Sequence, residues 1–178
     1  MMEKTIFRSK HEAYPFLCDS PDDLRCDFEI LTDEVASMTG FLRALVEEKA
    51  LQDELLFICE LIYHINPSLR TQTTVTKDEL MQLEGMVSRL QAETAHRSKP
   101  IVVTQGSESA ALSHVLRVRC KVIARLLYKH SHQGHLVDDI LFDITNLLSG
   151  YFCKLALKLN ELAGVNEIEY NKSKCCIG

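Results

Sequence analysis

Apolar residues recur every three or four positions in five long segments of this chain. In "LQDELLFICELIYHI", for example, Leu51, Leu55, Ile58, Leu61 and Ile62 fall on one face of a helix. A period of 3.6 residues predicts amphipathic α-helices rather than strands. The 178 residues include 7 Gly and 4 Pro, fewer than a turn-rich β-protein needs. The expected fold class is therefore all-α.

Capping residues and helix breakers divide this pattern into five helices. Ser20 is expected to cap the first helix with Pro21 in its first turn, and Thr76 with Glu79 forms a capping box before the third. The expected helices cover roughly residues 20–50, 51–65, 76–95, 106–129 and 136–164. The "IVVTQ" segment before the fourth helix is interpreted as an extended connector, too short and isolated to form a sheet.

Short connections between long amphipathic helices indicate antiparallel neighbours in one up-and-down bundle. We expect an N-terminal arm at residues 1–19, a helical bundle at residues 20–165 and a polar tail at residues 166–178. The arm contains no glycine and is expected to become ordered only against another surface.

The charge and composition exclude several classes of function. A net charge of −5 disfavours a general nucleic-acid or membrane-surface binder, which is normally basic. The first residues lack the apolar run of a secretory signal, and no uninterrupted apolar segment reaches the length of a membrane span. Seven irregularly spaced cysteines suit reduced thiols. We therefore expect a cytoplasmic protein without nucleic-acid or membrane partners.

The fourth helix, "GSESAALSHVLRVRCKVIARLLYK", concentrates cations in this acidic chain. Arg117, Lys121 and Arg125 recur at every fourth position, so they share one face of the helix with His114. Val115 falls on the apolar arc of the same helix, which is expected to pack into the bundle.

Two interpretations of these cations remain open. They form an ordinary solvated face, as exposed charges commonly do, or they bind a polyphosphate. Like charges four residues apart repel each other, and no acid occurs between Glu108 and Asp138, which favours the polyphosphate. Arg119 lies inside the apolar arc, so it is expected to pair with a buried acid or to lie at a subunit interface.

The fifth helix carries a polar track formed by Asp139, Asp143, Asn146 and Ser149. One interpretation is that Asn146 and Ser149 bond only to backbone or water. The other is that the track holds Mg²⁺ or a ribose beside the cations of the fourth helix.

Two further groups of residues have the composition of metal ligands. His130, His132 and His135 lie in "HSHQGH", which we interpret as a loop that ends the fourth helix, because no acid accompanies them. Cys175 and Cys176 lie in the polar tail, where two surface thiols are the simpler interpretation. The identity of any protein-bound metal is left open.

Several stretches together resemble a known family. They are "LTDEVASMTGFLRAL", "LEGMVSRLQAE", "PIVVTQGSESAALSHVLRVRCKVIARLL" and "TNLLSGYF". Their order and spacing resemble the ATP:cob(I)alamin adenosyltransferases of the propanediol-utilisation type, and also their ethanolamine-utilisation relatives. The first stretch is similar to the family's opening motif through Asp33, Glu34 and Gly40. The resemblance implies a trimer of five-helix bundles with active sites between subunits, which transfers the adenosyl group of ATP to the cobalt of cob(I)alamin and releases triphosphate.

The resemblance also implies roles for individual residues. Arg117, Lys121 and Asn146 are the expected catalytic residues. The expected ATP-binding set is Arg117, Lys121, Arg125, Asn146, Arg8 and Lys10. Ile101 and His114 are expected to bind cobalamin, with Ile101 at the lower face of the corrin. The implied cofactors and substrates are ATP, Mg²⁺ and cob(I)alamin. An adenosylcobalamin-dependent enzyme or a reductase is a further expected partner, and a bacterial microcompartment a further expected location.

The chain also departs from the pattern of the family. The family's Gly-rich N-terminal segment is absent, Ala124 replaces a glutamate, and Gly150 replaces an aspartate. These changes leave an alternative open: a non-catalytic corrinoid-binding or assembly protein built on the same bundle, with a degraded ATP site.

Overall fold

The computed structural model describes residues 6–97 and 101–170 and contains five long helices. They are α1 (Leu24–Leu45), α2 (Lys49–Ile65), α3 (Lys77–Glu93), α4 (Glu108–His132) and α5 (Asp139–Leu162), with a short 3-10 helix (Asn66–Leu69) after α2. In the described residues, β-pairing is limited to an isolated antiparallel bridge between Val102 and Glu169. The predicted all-α, five-helix fold is therefore confirmed.

Contacts between neighbouring helices show that the chain runs up and down. Near one end of the α1–α2 pair, Arg43 donates to the carbonyl of Gln52 (3.0 Å), and near the other Asn66 donates to that of Glu29 (2.8 Å). The residue numbers in the second helix increase along the pair as those in the first decrease, which requires antiparallel helices. The same holds for α4 and α5, where Arg117 lies beside Ser149 and Tyr128 lies beside Phe142.

The helix ends agree only partly with the sequence prediction. The Thr76–Glu79 capping box before α3 is confirmed, with both reciprocal bonds present. Ser20 does not cap α1, because residues 20–23 form a turn in which Asp23 N donates to Ser20 O (2.8 Å). Asp23 caps the helix instead, accepting from Arg25 N (3.1 Å). The helix therefore begins after the turn, at Leu24.

The core lies between the helices and is built mostly from aliphatic residues around α5. Tyr151, Phe152 and Leu155 of α5 are fully buried, together with Phe28, Leu55, Ile58, Leu83, Leu90 and Leu116 from the other helices. Of the helices in the described ranges, α5 is long and apolar enough to cross a membrane by length and composition. However, 56% of its most apolar window is buried inside the bundle, which is the pattern of a core helix.

Two non-helical segments pack against the bundle. Residues 6–19 of the arm lie against the start of α1 and the 3-10 helix, through contacts of Phe16 and Asp19 with Arg70. Residues 166–170, expected to be tail, run beside the connector: Val103 N donates to Ile168 O (2.8 Å) and Tyr170 N to Ile101 O (2.7 Å). Cys175 and Cys176 lie outside the described residues.

Candidate active site

Arg117, Lys121 and Arg125, hereafter the cationic row, lie along the outer side of α4. Lys121 and Arg125 are exposed and Arg117 is half-buried. None of the three forms an ion pair with any residue in the described ranges, although the chain has 25 acids and 20 bases. Unneutralised cations on one helix face are a suitable receptor for a polyanion, because Arg and Lys can contact several phosphate oxygens at once.

Serine side chains fix α4 against α5 at the level of the row. Ser149 Oγ donates to the carbonyl of Arg117 (3.0 Å), and Ser113 Oγ donates to that of Phe152 (2.8 Å). Both serines are buried. Because these bonds tie the backbone of α4 to its neighbour, the orientation of the Arg117 side chain is set by the helix pair rather than by a loop.

Part of the polar track of α5 lies at the same level of the bundle as the row. From the Arg117–Ser149 contact, the antiparallel register places Asp143 and Asn146 at the level of Lys121 and Arg125. Asn146 is exposed and donates to the carbonyl of Phe142 (2.8 Å). Asn146 and Ser149 thus both bond to backbone carbonyls, as the first interpretation of the track expected. The exposed amide of Asn146 remains accessible to solvent at the level of the row.

A groove of about 470 Å³ runs along the N-terminal half of α4 and includes His114 and Arg117 in its lining. Nδ1 of His114 and Nε of Arg117 are buried and have no hydrogen-bond partner in the described part of the chain. Burial, and then the charge of Arg117, lower the pKa of His114 below its ordinary value, so the imidazole is neutral at pH 7. Buried polar groups normally find partners, so these two groups are candidates for bonds to a ligand or ordered water.

The wall of this groove is apolar, which differs from the sequence prediction. Val115 was expected to pack into the bundle, but Val115, Val118 and Val122 are 46%, 47% and 39% exposed. The apolar arc of α4 is wider than its buried part, and periodicity alone does not distinguish burial inside one chain from an apolar outer surface. Exposed apolar residues beside cations are typical of a surface that meets another molecule.

Arg119 lies at the edge of the same groove and pairs with Glu34 of α1 (3.0 Å). The two side chains are 41% and 37% exposed. Of the two alternatives for Arg119, pairing with a buried acid does not hold, because α1 and α4 leave Glu34 open to solvent. A place at a subunit interface stays a prediction.

Ile101 lies on the connector that leads into α4 and is 69% exposed. The end of the connector is held by Asn160, a residue the sequence analysis missed. Asn160 is buried; its Nδ2 donates to Gln105 O (3.1 Å) and its Oδ1 accepts from Ser107 N (3.0 Å). A polar residue inside the apolar stripe of α5 was the available sequence signal.

Gly106 explains why the connector can approach Asn160 so closely. Its φ is +147°, and a Cβ at this position would lie 1.9 Å from Asn160 Oδ1. Only glycine fits this close approach. The start of α4, and with it the groove, is therefore positioned by a backbone crossing over a buried amide.

Arg8 and Lys10 of the arm do not join the cationic row within one chain. Arg8 Nη2 donates to the carbonyl of Pro15 (2.7 Å), and Lys10 is exposed. The described contacts of the arm are with itself, α1 and the 3-10 helix, whereas the row lies on α4. The two halves of the expected ATP-binding set are therefore separate in a single protomer.

The histidine-rich segment also differs from its prediction as a loop. α4 continues to residue 132, so His130 and His132 are helical, and His130 stacks on His135 with ring centroids 4.2 Å apart. Among the described residues, no group of three or more His, Cys, Asp or Glu side chains is arranged to hold a metal. Asp139 and Asp143 are exposed on α5, and this suits Mg²⁺, which commonly takes one or two carboxylates and completes its shell with phosphates and water.

A helical bundle that presents unpaired cations beside a partly apolar groove defines the class of site: one for a ligand with both a polyanionic and an apolar part. The chain belongs to the cobalamin adenosyltransferase family, because the model of that family matches residues 20–159. No curated protein sequence matches the chain.

Solved structures of the PduO-type ATP:corrinoid adenosyltransferase of Lactobacillus reuteri share the fold. Two variants complexed with cobalamin and ATP are 20% identical with a TM-score of 0.76; the alignments cover 85% of this chain and 86% of that chain for the first, and 84% and 87% for the second. A third variant, complexed with ATP, is 21% identical with a TM-score of 0.74 and coverages of 84% and 88%. At this identity the likeness shows a common fold, and the family is shown by its sequence model.

Proposed function

We propose that this protein transfers the 5′-deoxyadenosyl group of ATP to cob(I)alamin, giving adenosylcobalamin and triphosphate. The observation that carries the proposal is the unpaired cationic row beside the groove, in a member of the cobalamin adenosyltransferase family. Co(I) supplies the electron pair for the new bond to the ribose 5′ carbon. The bond from that carbon to oxygen breaks, and its electrons leave with the triphosphate.

Because Co(I) is the nucleophile, the protein's task is to bind and stabilise. Arg117, Lys121 and Arg125 bind the triphosphate and stabilise the negative charge that develops on the leaving oxygen, an electrostatic contribution that is commonly large. Asn146 positions ATP, and Asp139 and Asp143 are the carboxylates beside the row that would hold a phosphate-bound Mg²⁺.

The corrin is held on the apolar side of the same site. Ile101 lies against the lower face of the corrin and helps to exclude the lower axial ligand, while the neutral His114 contacts the corrin or its side chains. The exposure of Ile101 and the unpartnered Nδ1 of His114 support these roles.

The active site lies between neighbouring subunits of a homotrimer, so that Arg8 and Lys10 of one subunit bind the same ATP as the row of the next. Two observations support this arrangement: arm and row are apart in one protomer, and the valines beside the row are exposed. Residues 20–165 form the transferase domain. The protein works in the cytoplasm or a bacterial microcompartment, close to an adenosylcobalamin-dependent enzyme or a corrinoid reductase.

The family's two replaced acids do not favour the non-catalytic alternative. Ala124 is buried and follows Lys121 by three residues, so a glutamate at this position would lie next to the row. A Cβ at Gly150 would meet Val87 of α3 at 3.9 Å, so that position faces α3. The three cations of the row are retained, which supports transferase activity over the non-catalytic alternative.

Transfer is tested anaerobically with ATP and chemically reduced cobalamin, following the cobalt absorption spectrum. We expect the spectrum of adenosylcobalamin to appear only when ATP is present. Lys77→Ala, which changes an exposed lysine of α3, is the control and should leave the rate unchanged. Wild-type protein that binds corrinoid without any ATP-dependent change at cobalt would establish the non-catalytic alternative.

The shared site is tested by mixing two inactive variants. One carries Arg8→Ala and Lys10→Ala, and the other carries Arg117→Ala. If arm and row meet between subunits, mixed trimers contain some sites with an intact arm and an intact row, and activity returns on mixing. If both halves of each site come from one chain, the mixture remains inactive.

A further inference from the structure

Arg70, at the end of the 3-10 helix, has more charged and aromatic partners than its place in a connecting segment requires. Its Nε and Nη2 bind the two carboxylate oxygens of Glu29 at 2.8 and 2.9 Å. Its Nη1 lies 3.2 Å from Asp19 Oδ2. The guanidinium carbon lies 3.5 Å from the ring centroid of Phe16. One side chain therefore joins the bundle to two residues of the N-terminal arm.

The contacts of Arg70 divide into one with the bundle, to Glu29, and two with the arm, to Asp19 and Phe16. The paired side chains of Arg70 and Glu29 are 15% and 6% exposed, so the Arg70–Glu29 pair is a buried part of the bundle. Asp19 and Phe16 belong to the arm and use the remaining donor and the flat face of the same guanidinium. Arg can do both at once because its planar group has five donors and also stacks on rings.

A short chain of contacts connects this cluster to Arg8. Phe16 lies under the guanidinium of Arg70, and Pro15 directly precedes it. The carbonyl of Pro15 accepts a hydrogen bond from Arg8 Nη2 (2.7 Å). Backbone bonds from Leu17 N to Tyr14 O (3.5 Å) and from Asp19 N to Phe16 O (3.0 Å) keep this part of the arm folded in turns.

We propose that Arg70 is a positioning residue for the N-terminal arm: it clamps Phe16 and Asp19 onto the bundle and thereby holds Arg8 where ATP needs it. The inference rests on the proposed function, because it assigns the arm to ATP binding. Arg70 itself touches neither substrate. In this chain the clamp supplies rigidity at the end of the molecule where the family's Gly-rich segment is missing.

The test changes only the arm side of the clamp, so that the buried Arg70–Glu29 pair remains and the bundle stays folded. The variant carries Phe16→Ala and Asp19→Asn. Phe16→Tyr keeps the ring and is the conservative comparison. Asp53→Asn is the matched control, because Asp53 forms an exposed ion pair with Lys49 on α2.

Two measurements report on the clamp. Hydrogen exchange of the amides in residues 6–19 should become about tenfold faster in the double variant, as expected when local structure opens. The Kd for ATP, measured by calorimetry, should rise by about tenfold, while the Kd for cobalamin stays within about twofold. Phe16→Tyr and Asp53→Asn should resemble the wild type in the exchange rates and in both Kd values.

Either of two results would overturn the proposal. Unchanged exchange in the arm would mean that the clamp does not hold it. Faster exchange with an unchanged Kd for ATP would mean that the held arm does not serve ATP. Wild-type turnover is measured separately. If the double variant shows faster exchange and weaker ATP binding but the wild type transfers no adenosyl group, the proposed function is contradicted and the clamp is still supported.

Discussion

The cationic row on α4 and the Arg70 cluster, formed by Arg70, Glu29 and Asp19, use cations in opposite ways. Arg70 is satisfied by two carboxylates and is largely withdrawn from solvent. The row has no acid partner in the described ranges. A chain with an excess of acids could neutralise every cation. Arg70, which is held by two acids, therefore serves the structure, whereas the three adjacent cations of the row are available to an external anion.

This contrast predicts that stability and function separate between the two regions. Substitutions in the Arg70–Glu29 pair leave buried charge behind, so they should act first on folding. Substitutions in the row remove exposed charges that repel each other, so they should act on ligand binding with little cost to the fold.

The largest expected effect is that of Arg70→Ala on stability. Glu29 is almost fully buried and would lose both bonds to the guanidinium. We expect the free energy of unfolding to fall by about 3–5 kcal/mol, as for other broken buried pairs, measured by urea denaturation. Arg89→Ala is the control: its ion pairs with Glu54 and Glu93 are more exposed, so about 1 kcal/mol or less is expected. Equal losses in the two variants would contradict the distinction.

Arg117→Ala should produce the next largest effect, and it should appear in turnover. Removing one preorganised donor to a developing negative charge commonly lowers kcat by about 10²–10³-fold. The free energy of unfolding should change by about 0.5 kcal/mol or less, since no ion pair is lost. Initial rates of adenosylcobalamin formation and urea denaturation measure the two quantities. A variant that unfolds easily but keeps its rate would place Arg117 with Arg70, among the structural cations.

Sequence reasoning succeeded where the determining contacts are local. The helical period and the Thr76–Glu79 capping box each depend on residues within a few positions, and both were confirmed. The start of α1 was wrong because two good caps, Ser20 and Asp23, compete within one turn. The turn that decides between them is closed by the hydrogen bond from Asp23 N to Ser20 O (2.8 Å).

Long-range contacts were not accessible to sequence reasoning. Arg70 meets acids 41 and 51 positions away, and Asn160 holds a connector 53–55 positions before it. No periodicity relates such residues. The row was found because its cations are four residues apart and no acid stands between them, whereas its separation from Arg8 depends on how the arm packs.

Lys121→Arg tests whether a change in the row can strengthen ATP binding. A guanidinium can contact two phosphate oxygens in a fixed geometry, whereas an ammonium acts as a point charge. We expect the Kd for ATP to fall by roughly threefold to tenfold, a difference of about 1 kcal/mol, with unchanged thermal stability. Lys77→Arg on α3 is the matched control. An unchanged Kd would mean that Lys121 does not touch the phosphates.

Two buried histidines allow the smallest and most local test, because His114 lies beside Arg117 of the row whereas His130 lies beside the Asp23–Arg25 ion pair. His114 faces Arg117 and Glu167, and His130 faces His135, Asp23 and Arg25. Burial is the main cause that lowers both pKa values below the ordinary 6.5, followed by Arg117 for His114 and by His135 for His130. Each histidine therefore contributes stability that is fully present above pH 6.5 and is lost as the pH falls through the lowered pKa, with a slope of at most about 1.4 kcal/mol per pH unit.

ATP should distinguish the two histidines. A bound triphosphate offsets the charge of Arg117, so the pKa of His114 should rise when ATP is added, and it should also rise in Arg117→Ala. His130 stands beside the Asp23–Arg25 ion pair rather than beside Arg117, so its pKa should not respond. NMR titration of the imidazole protons with and without ATP measures both values in one sample. An equal response of the two histidines would mean that ATP does not bind preferentially at the row. The difference between unpaired and paired cations would then not explain where ATP binds.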